Sequence, residues 1–404
     1  MRGGMRAAAT CALTALATVS ASGCAPREGD APRLVVDTLS NGSPWLRYAT
    51  RDGVAAWTLR PELTLGAMEG DETVVFGDVR DVDFDVDGTL LVLDGQAGEI
   101  RRFSPEGAYL ETLVRKGKGP REVGGANGFM VADDGTLWIN DPGNWRLAAV
   151  RPDGGFVTRQ MPARLYGYRW AGAVTDGGWV WDHHVAGAPP PTLAPGVHTS
   201  AFAFFYRGLS PDGVADSVAL GTFGGAMIRG ERGSMGVPFQ PTPVSVLDPS
   251  GVIWSARTDV YRIVKQSLTG DTLLVVELPP DPLPIPEEER AAAIQRIEEF
   301  MERAGRIDLD YDQLLARTLP ALEHLATDDQ GRLWVGRLDR DGVLVFDVFR
   351  PDGTYLAVAR CDCVPYRYFV PSVRGDQFLT VVRDEMEVPF VVRARITQND
   401  GATR

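Results

Sequence analysis

The stretch Asp134-Gly-Thr-Leu-Trp-Ile139, followed by the turn Arg151-Pro-Asp-Gly154, is the pattern that decides the fold. A glycine leads into a short apolar run, as expected of a turn that feeds a strand buried on both faces. In the second turn, proline presets the first corner and glycine accepts a positive φ. The stretch therefore predicts two hairpin turns that join short antiparallel strands.

This pair of turns recurs along the chain. The glycine-led runs are Gly88-Thr-Leu-Leu-Val, Gly135-Thr-Leu-Trp-Ile, Gly177-Gly-Trp-Val-Trp, Gly251-Val-Ile-Trp-Ser and Gly331-Arg-Leu-Trp-Val. The second turns are Ser104-Pro-Glu-Gly107, Arg151-Pro-Asp-Gly154, Ser210-Pro-Asp-Gly213, Ser267-Leu-Thr-Gly270 and Arg350-Pro-Asp-Gly353. The two glycines of each copy are 19, 19, 36, 19 and 22 residues apart, so the third copy carries an insertion. Four short strands in a unit of about 45 residues are typical of a propeller blade.

With these repeats, the chain resembles the NHL-like six-bladed β-propellers, especially their bacterial lipoprotein branch. The resemblance covers residues 55–396 and rests on three kinds of motif. They are Asp87-Gly88, Asp134-Gly135 and Gln330-Gly331 before the second strand, Asn140-Asp-Pro-Gly-Asn144-Trp-Arg146 after it, and the loop Gly117-Lys-Gly-Pro-Arg-Glu122 between blades. It implies an all-β fold, a six-bladed propeller of four-stranded antiparallel blades with a small helical insertion between blades four and five.

Five blades are evident from the repeats, and the sixth is assembled from both ends of the chain. Tyr366–Val373, Gln377–Val382 and Phe390–Ile396 supply three of its strands. We expect Ala55–Leu65 to be the fourth, because a strand from the N-terminal side closes the ring and removes an exposed edge. The alternative is a ring of seven blades, for which few residues remain.

The N-terminus has the layout of a secretory signal. Arg2 and Arg6 precede the apolar run 7–19, and small residues lead into Cys24. Ala-Ser-Gly-Cys resembles a lipobox, which implies a lipid on Cys24, although Ala21 stands where leucine is usual. The alternative is ordinary signal cleavage with Cys24 as an incidental thiol. Ala25 after the cysteine favours the outer membrane of a Gram-negative cell as the destination.

These segments predict a domain organisation. We expect a signal peptide at 1–23, a lipidated N-terminus and flexible tether at 24–50, the propeller at 51–397 and a tail at 398–404. Without the signal the chain keeps 39 basic and 54 acidic residues, a formal charge of −15. This charge argues against nucleic acid as a partner.

Two insertions interrupt the repeat, and insertions of this kind often carry function. The first, from Trp181 to about Phe202, contains His183, His184 and His198. The second contains a helical insertion at about 283–322. Its first helix begins at Pro286, with Glu287, Glu288 and Glu289 in the first turn and an apolar stripe of Ile294, Ile297, Met301 and Ala304. We expect the stripe to pack on the propeller, with a partner protein as the alternative, and Asp308 or Asp310 to cap a second short helix.

The candidate ligand-binding residues belong to a basic loop and to the first insertion. They are Arg115, Lys116, Lys118, Arg121, His183, His184 and His198. Loops from equivalent strands gather on one face of a propeller, so these groups could converge on a small anionic ligand. Histidine protonation would then tighten anion binding at mildly acid pH.

No metal, cofactor or catalytic residue is predicted. His183 and His184 are adjacent and face opposite ways on a strand, whereas a zinc site needs three or four convergent ligands. Asp94, Asp141 and Asn144 could be compared with the ion ligands of gluconolactonase-like propellers, but Asp and Asn after a strand more often cap turns.

The remaining cysteines and tryptophans permit several interpretations. Cys361 and Cys363 are interpreted as small buried residues, with a local disulfide or a metal or redox role as alternatives. Trp138, Trp254 and Trp334 occupy equivalent repeat positions and are predicted to pack between blades. Trp145 and Trp181 fall outside that register and are predicted to be exposed.

The leading hypothesis for function is a membrane-anchored, extracytoplasmic binding or assembly module at the cell envelope, without catalysis. Its partners would be the membrane, through the lipid, and an envelope protein or a small anionic ligand. The alternatives are a metal-dependent hydrolase or lyase, lactonase-like or amidating-lyase-like, that uses the propeller channel, and a structural spacer.

Overall fold

The computed structural model describes residues 33–160, 170, 172–187 and 194–399. This part of the chain is mostly β. The first strands are β1 (Leu34–Thr38), β2 (Pro44–Tyr48), β3 (Ala55–Leu65), β4 (Val79–Phe84), β5 (Leu90–Asp94), β6 (Glu99–Phe103), β7 (Tyr109–Lys116) and β8 (Glu122–Val123). They are followed by β9 (Gly128–Val131), β10 (Leu137–Asp141), β11 (Arg146–Val150), β12 (Phe156–Gln160), β13 (Ala173–Thr175), β14 (Trp179–Ala186), β15 (Gly196–Leu209), β16 (Ala215–Gly230) and β17 (Gly233–Gly236).

The second half of the chain continues in the same way. Its strands are β18 (Pro243–Leu247), β19 (Val252–Arg257), β20 (Arg262–Ser267), β21 (Thr272–Glu277), β22 (His324–Thr327), β23 (Leu333–Leu338), β24 (Leu344–Phe349), β25 (Tyr355–Cys361), β26 (Ser372–Arg374), β27 (Gln377–Arg383) and β28 (Pro389–Asn399). The helices are α1 (Glu287–Ala304) and α2 (Tyr311–Leu314), with short 3₁₀ turns at Pro142–Asn144 and Asp176–Gly178.

The strands form successive antiparallel meanders. In the described residues these are the first (β4–β7), second (β9–β12), third (β13–β16), fourth (β18–β21), fifth (β22–β25) and sixth (β26–β28 with β3). The first strand of one meander contacts that of the next in the pairs β4 and β9, β18 and β22, β22 and β26, and β26 and β4. Meanders repeated side by side in this way are the β-propeller architecture that the sequence predicts.

The hairpin turns are those expected. Gly135 has φ 77° and its N–H donates to the carbonyl of Ala132 at 2.8 Å, while Gly154 has φ 82° and donates to that of Arg151 at 2.9 Å. Within each meander these turns lie at one end, which we call the turn end. The connection from the second to the third strand, and the connections between meanders, lie at the opposite loop end. Because each connection between meanders leaves and enters at the loop end, all meanders share this polarity.

The predicted pairing of Ala55–Leu65 is confirmed. β3 pairs antiparallel with β28 and so becomes the outer strand of the sixth meander. Its first half, from Ala55 to Leu59, also pairs parallel with β25, which merges the fifth and sixth meanders into one eight-stranded sheet. The N-terminal side of the chain is therefore built into the last sheet.

The segment before β3 differs from the tether expected over 24–50. β1 and β2 form a hairpin, and β2 pairs parallel with β21 to extend the fourth meander. Tyr48 fixes the hairpin, since its hydroxyl donates to the carbonyl of Gly353 and accepts from the N–H of Tyr355, both at 2.9 Å. Turn-forming residues at 41–44 thus mark a hairpin rather than a linker. At the other end, β28 extends to Asn399, into the predicted tail.

The core lies between neighbouring meanders. Trp138, Trp254 and Trp334 are buried there, as predicted. Trp145 is 44% exposed, but Trp181 is only 3% exposed, so the prediction of an exposed Trp181 is wrong. Its indole Nε1 donates to Thr175 Oγ1 at 3.0 Å and its ring stacks on Trp179. The third turn has one more glycine, Gly178, so Trp181 stands where Trp138 stands in the second meander and packs toward the fourth meander with Leu247 and Ile253.

The two insertions meet at the loop end. β15 and β16 are at least about eight residues longer than most strands of the fold. The paired strands therefore extend beyond the loop end of the third meander by roughly 26 Å, at about 3.3 Å per residue. Ile297 and Met301 of α1 pack with Ile228 and Val237 of the hairpin region. The predicted stripe is therefore buried on the hairpin of the third meander rather than on the body of the propeller. Asp310 caps α2, as expected, by accepting from the N–H groups of Asp312 and Gln313.

Cys361 and Cys363 form a disulfide, which was the alternative rather than the favoured interpretation. Cys361 lies at the end of β25, and the bond closes the chain onto itself two residues later. In the described residues, no helix has the length and apolarity needed to cross a membrane.

Candidate functional site

The second meander ends at the loop end with two buried polar residues that face opposite neighbours. On β10, Leu137 and Ile139 pack toward the first meander, whereas Trp138 packs toward the third with Val180. Because side chains alternate along a strand, Asp141 faces the first meander and Asn140 faces the third.

Asp141 is fully engaged in hydrogen bonds. Its Oδ1 accepts from the N–H of Gly124 at 2.8 Å, and its Oδ2 accepts from Asn144 Nδ2 at 2.7 Å and Arg146 Nε at 3.2 Å. Asp94 is similar, since its Oδ1 accepts from three backbone N–H groups. Asp94, Asp141 and Asn144 therefore brace loops, as the sequence interpretation had it.

Asn140 is the opposite case. It is 1% exposed, and neither its Nδ2 nor its Oδ1 has a hydrogen-bond partner in the described part of the chain. A buried polar group without a partner costs about 1–3 kcal/mol. Asn140 therefore does not stabilise the fold through its side-chain polar atoms, and its surroundings define the candidate site.

The third meander presents its own polar groups to Asn140. Val180, Asp182 and His184 alternate along β14 on the face that meets the second meander. Asp182 Oδ2 lies 3.2 Å from His184 Nε2, while Asp182 Oδ1 has no partner among the described residues. Since Trp138 and Val180 pack together, side-chain alternation places Asn140 and Asp182, two positions further along, on the facing surfaces of the two meanders.

Trp170 completes this polar cluster, which we define as Asn140, Asp182, His184 and Trp170. The N–H of Trp170 donates to the carbonyl of Asn127, whose own N–H donates to the carbonyl of Asn140, both at 3.2 Å. Its indole Nε1 is buried without a partner in the described residues. The ring approaches the backbone so closely that a Cβ on Gly172 would lie 2.3 Å from Nε1. The cluster thus offers donors and acceptors, and His184 stacks on Phe205 beside it.

The structure separates the three histidines. His183 and His184 point to opposite faces of β14, as expected, and His183 lies against Phe204 and Tyr206. His198 lies further out on the hairpin, with Nε2 2.8 Å from the carbonyl of Ala194. Burial lowers the pKa of His183 to about 4, and the neighbouring Asp182 opposes this shift. His183 therefore stays neutral at pH 5.5, and the expected gain of charge at mildly acid pH does not apply to it.

The basic loop is exposed at the loop end. Arg115, Lys116, Lys118 and Arg121 all face solvent. Glu122 organises the loop, since its Oε2 accepts from the N–H groups of Lys118 and Gly119 at 2.8 and 2.7 Å. In the described residues, no contact joins these four cations to His183, His184 or His198. Cys24, the predicted lipidation site, lies outside the described residues.

The cluster was missed at the sequence level, although a signal for it exists. Five residues after the turn glycine, the first, fourth and fifth copies carry Leu93, Ala256 and Gly336. The second copy carries Asn140 at that position, and the third copy, counted from Gly178, carries Asp182 at the preceding position, where the first and second copies have Val92 and Ile139. Because these two positions point to opposite faces of the strand, a polar residue at one of them in the second copy and at the other in the third marks the interface between those copies.

The described residues do not bring together three His, Cys, Asp or Glu side chains that could hold a metal ion. The oxygen atoms of Asp94 and Asp141 are occupied by N–H donors, and the partly bonded Asp182 shares its cluster with an indole N–H. This donor set does not fit the six to eight oxygen ligands that calcium takes.

The fold was compared with known proteins. No protein-family model matches the chain, and no curated protein matches it. Among solved structures, a streptogramin B lyase has 11% identity and a TM-score of 0.44, over 85% of this chain and 98% of the other. A calcium-binding protein, regucalcin, from Agrobacterium tumefaciens has 12% identity and a TM-score of 0.40, over 84% and 96%. A member of the DUF4221 family from Bacteroides vulgatus has 10% identity and a TM-score of 0.49, over 85% and 99%. Likeness at this level transfers no activity, ligand or partner to this chain.

Proposed function

We propose that this protein is a lipid-anchored, extracytoplasmic β-propeller of six blades that works as a binding module at the cell envelope. We further propose that its ligand is a small neutral molecule bearing hydroxyl or amide groups, held by the polar cluster. The observation that carries this proposal is the set of buried atoms of Asn140, Asp182 and Trp170 that have no partner in the described residues, at the interface of the second and third meanders.

The chemistry of the cluster favours a neutral ligand. Asn140 Nδ2 and Trp170 Nε1 can only donate, and Asn140 Oδ1 and Asp182 Oδ1 accept. A hydroxyl or an amide both donates and accepts, so it matches this mixture, whereas an anion would meet Asp182. Bonding to a ligand would also recover part of the free energy that the unpartnered groups cost.

Six blades are supported by the six meanders in the described residues and by the pairing of β3 with β28. Each would be a four-stranded blade, with β8, β17 and the β1–β2 hairpin as additions at the edges.

The joined insertions support a role in assembly. Helix α1 ties several meanders together, because Arg367 before the sixth meander pairs with Glu289 at 3.3 Å and with Glu323 at 2.8 Å. At its other end, the carbonyl of Ala304 accepts from the N–H of Arg232 beyond β16. Within the same binding role, we also propose that an envelope protein binds this braced surface. A small anionic ligand on the exposed basic loop is a second proposed partner.

The ligand proposal is tested by calorimetry with D-glucose, N-acetyl-D-glucosamine and acetamide on the purified protein. We expect at least one probe to bind, Asn140→Leu to weaken it at least tenfold, and the control Lys116→Ala/Lys118→Ala on the basic loop to leave it unchanged. Failure of all three probes, or equal binding by Asn140→Leu, contradicts the proposal. A stoichiometric metal ion in the purified protein would favour the metal-dependent enzyme instead.

Anchoring is tested separately by Cys24→Ser. The loss of several buried acyl chains, at about 0.8 kcal/mol per methylene, should move the protein from the membrane fraction into the aqueous phase. Unchanged membrane partition would contradict the lipid anchor without affecting the ligand proposal.

A further inference from the structure

A cavity of about 390 Å³ lies at the turn end of the same interface, on the opposite side of Trp138 from the polar cluster. The turns of the second and third meanders form its walls, and Trp138, Val157 and Val174 supply apolar surface. Its volume falls within the range of about 300–1,000 Å³ that is usual for small-molecule sites.

Side chains of both charges line this cavity without neutralising each other. The cations are Arg151 and Arg159, and the anions are Asp133, Asp134 and Asp176. In the described residues, neither arginine has a carboxylate oxygen within 4.0 Å, although eleven ion pairs elsewhere in the described fold are closer than 3.0 Å. The lining of the cavity therefore carries charges of both signs that are not paired with each other.

Arg159 is held in place although it lacks an acidic partner. Its guanidinium lies over the ring of Trp138, 4.6 Å from the centroid, and Nη1 donates to the carbonyl of Leu209 at 3.1 Å. Nε and Nη2 make no hydrogen bond to the described residues, so this edge of the guanidinium can receive an anion. Burial lowers the pKa of Arg159, which means that its surroundings leave the charge without full compensation.

The turn of the third meander places an acidic residue across the cavity. Asp176 begins the 3₁₀ turn Asp176–Gly178, in which Gly177 and Gly178 both have positive φ, 77° and 72°. The carbonyl of Gly178 lies 3.5 Å from Arg159 Nη1, at the outer limit of a hydrogen bond. The glycines therefore let the chain fold back beside Arg159 while Asp176 stays exposed on the rim.

We infer that this cavity binds a small zwitterion, such as a free amino acid. Its carboxylate would pair with Arg159 and Arg151, and its ammonium with the carboxylates of Asp133, Asp134 and Asp176. A simple anion would be repelled by the three aspartates, and a simple cation would be repelled by the two arginines. A zwitterion can pair with both sets of charges. The apolar surface of Trp138, Val157 and Val174 would take an aliphatic side chain.

Calorimetry with L-leucine on the purified full-length protein tests this inference. The matched probes are 4-methylpentanoate, which lacks the ammonium, and 3-methylbutylamine, which lacks the carboxylate. We expect L-leucine to bind, and each probe to bind at least tenfold more weakly. Arg159→Gln should weaken L-leucine at least tenfold. The control Arg350→Gln, at the turn position of the fifth meander that corresponds to Arg151, should leave it unchanged.

Several results would overturn the inference. The absence of binding heat with L-leucine, glycine and L-serine at ligand concentrations up to about 10 mM excludes the site. Equal binding of 4-methylpentanoate shows that the aspartates play no part. If Arg159→Gln does not fold, Asp176→Asn serves instead. Unchanged binding of L-leucine by that variant contradicts the pairing of the ligand's ammonium group with Asp176.

Discussion

The two interfaces of the second meander are built differently at their loop ends. Toward the first meander, Asp141 is buried and bonded to Gly124, Asn144 and Arg146. Toward the third, the adjacent residue Asn140 is equally buried and bonded to nothing in the described residues through its side chain. One interface holds loops together through its buried carboxylate, and the other contains buried polar atoms without a partner in the described residues. Two neighbouring residues can differ in this way because a strand presents them to different neighbours, and we propose that the first serves stability and the second binding.

The largest effect is expected for Asp141→Ala. It removes three hydrogen bonds and leaves the largely buried Arg146 without its carboxylate, and breaking a buried pair on one side costs about 3–5 kcal/mol. Urea denaturation should show this loss in the free energy of unfolding. A loss below about 1 kcal/mol would show that the hydrogen bonds of Asp141 do not make its interface the more strongly stabilised of the two.

His183 follows Trp181 by two residues in β14, as Asn140 follows Trp138 in β10, and its contribution to stability depends on pH. Its pKa is lowered from 6.5 to about 4 in the folded protein. As the pH falls, the imidazole therefore takes up a proton in the unfolded chain before it does so in the folded protein. Its contribution is fully present above pH 6.5 and is lost as the pH falls toward 4, a change of about 3 kcal/mol. His183→Phe should flatten the decline of the unfolding free energy over this range. A decline as steep as that of the wild type would contradict the burial of a neutral His183.

Asn140→Leu tests the unpartnered interface by removing its polar atoms. We expect the free energy of unfolding without ligand to rise by about 1 kcal/mol, since an apolar group of similar shape removes the cost of unpartnered atoms. The matched control is Asn144→Leu, which should lower it, because Asn144 Nδ2 donates to Gly117 and Asp141. If both variants lose stability alike, Asn140 has a structural role that the comparison overlooks.

The smallest effect is expected for Arg115→Ala, at the surface of the bonded interface. Arg115 pairs with Glu99 at 3.4 Å but is 66% exposed, and exposed pairs contribute roughly 0–1 kcal/mol. Thermal denaturation should show little change. A loss comparable to that of Asp141→Ala would place the strength of this interface in its surface charges rather than in its buried carboxylate.

The repeat was predictable because its turns are local. Gly135 and Gly154 impose their conformation within a few residues, so sequence spacing indicates the meanders, and the unpaired Ala55–Leu65 indicates where the last sheet finds its outer strand. The hairpin β1–β2 was not predicted, since its turn residues have the composition of a linker and its pairing with β21 joins segments more than 200 residues apart. The first helix could be placed from Pro286 and the glutamates after it, but the surface that it covers depends on tertiary structure.

The candidate site was less predictable than the fold. Histidines and basic residues drew attention as chemical groups, but Asn140 and Asp182 gain their meaning from facing each other across two copies of the repeat. Trp170 follows a segment without a repeat signature, so nothing in its sequence context indicates that its indole closes the same interface. To predict a site between two copies of the repeat from the sequence, the faces of the facing strands must be aligned as well as the motif.

The β1–β2 hairpin also sets how the protein would stand at a membrane. Cys24 and Arg33 are nine residues apart, so the fold begins no more than about 30 Å from a lipid on Cys24. The hairpin occupies the outer edge of the fourth meander, and Leu34, Val35 and Val36 are exposed along it. With the lipid that we propose on Cys24, the attachment point would lie at this perimeter rather than at the turn end or the loop end. Neither end, with the charged cavity at one and the buried polar cluster beneath the other, would then be covered by the attachment itself.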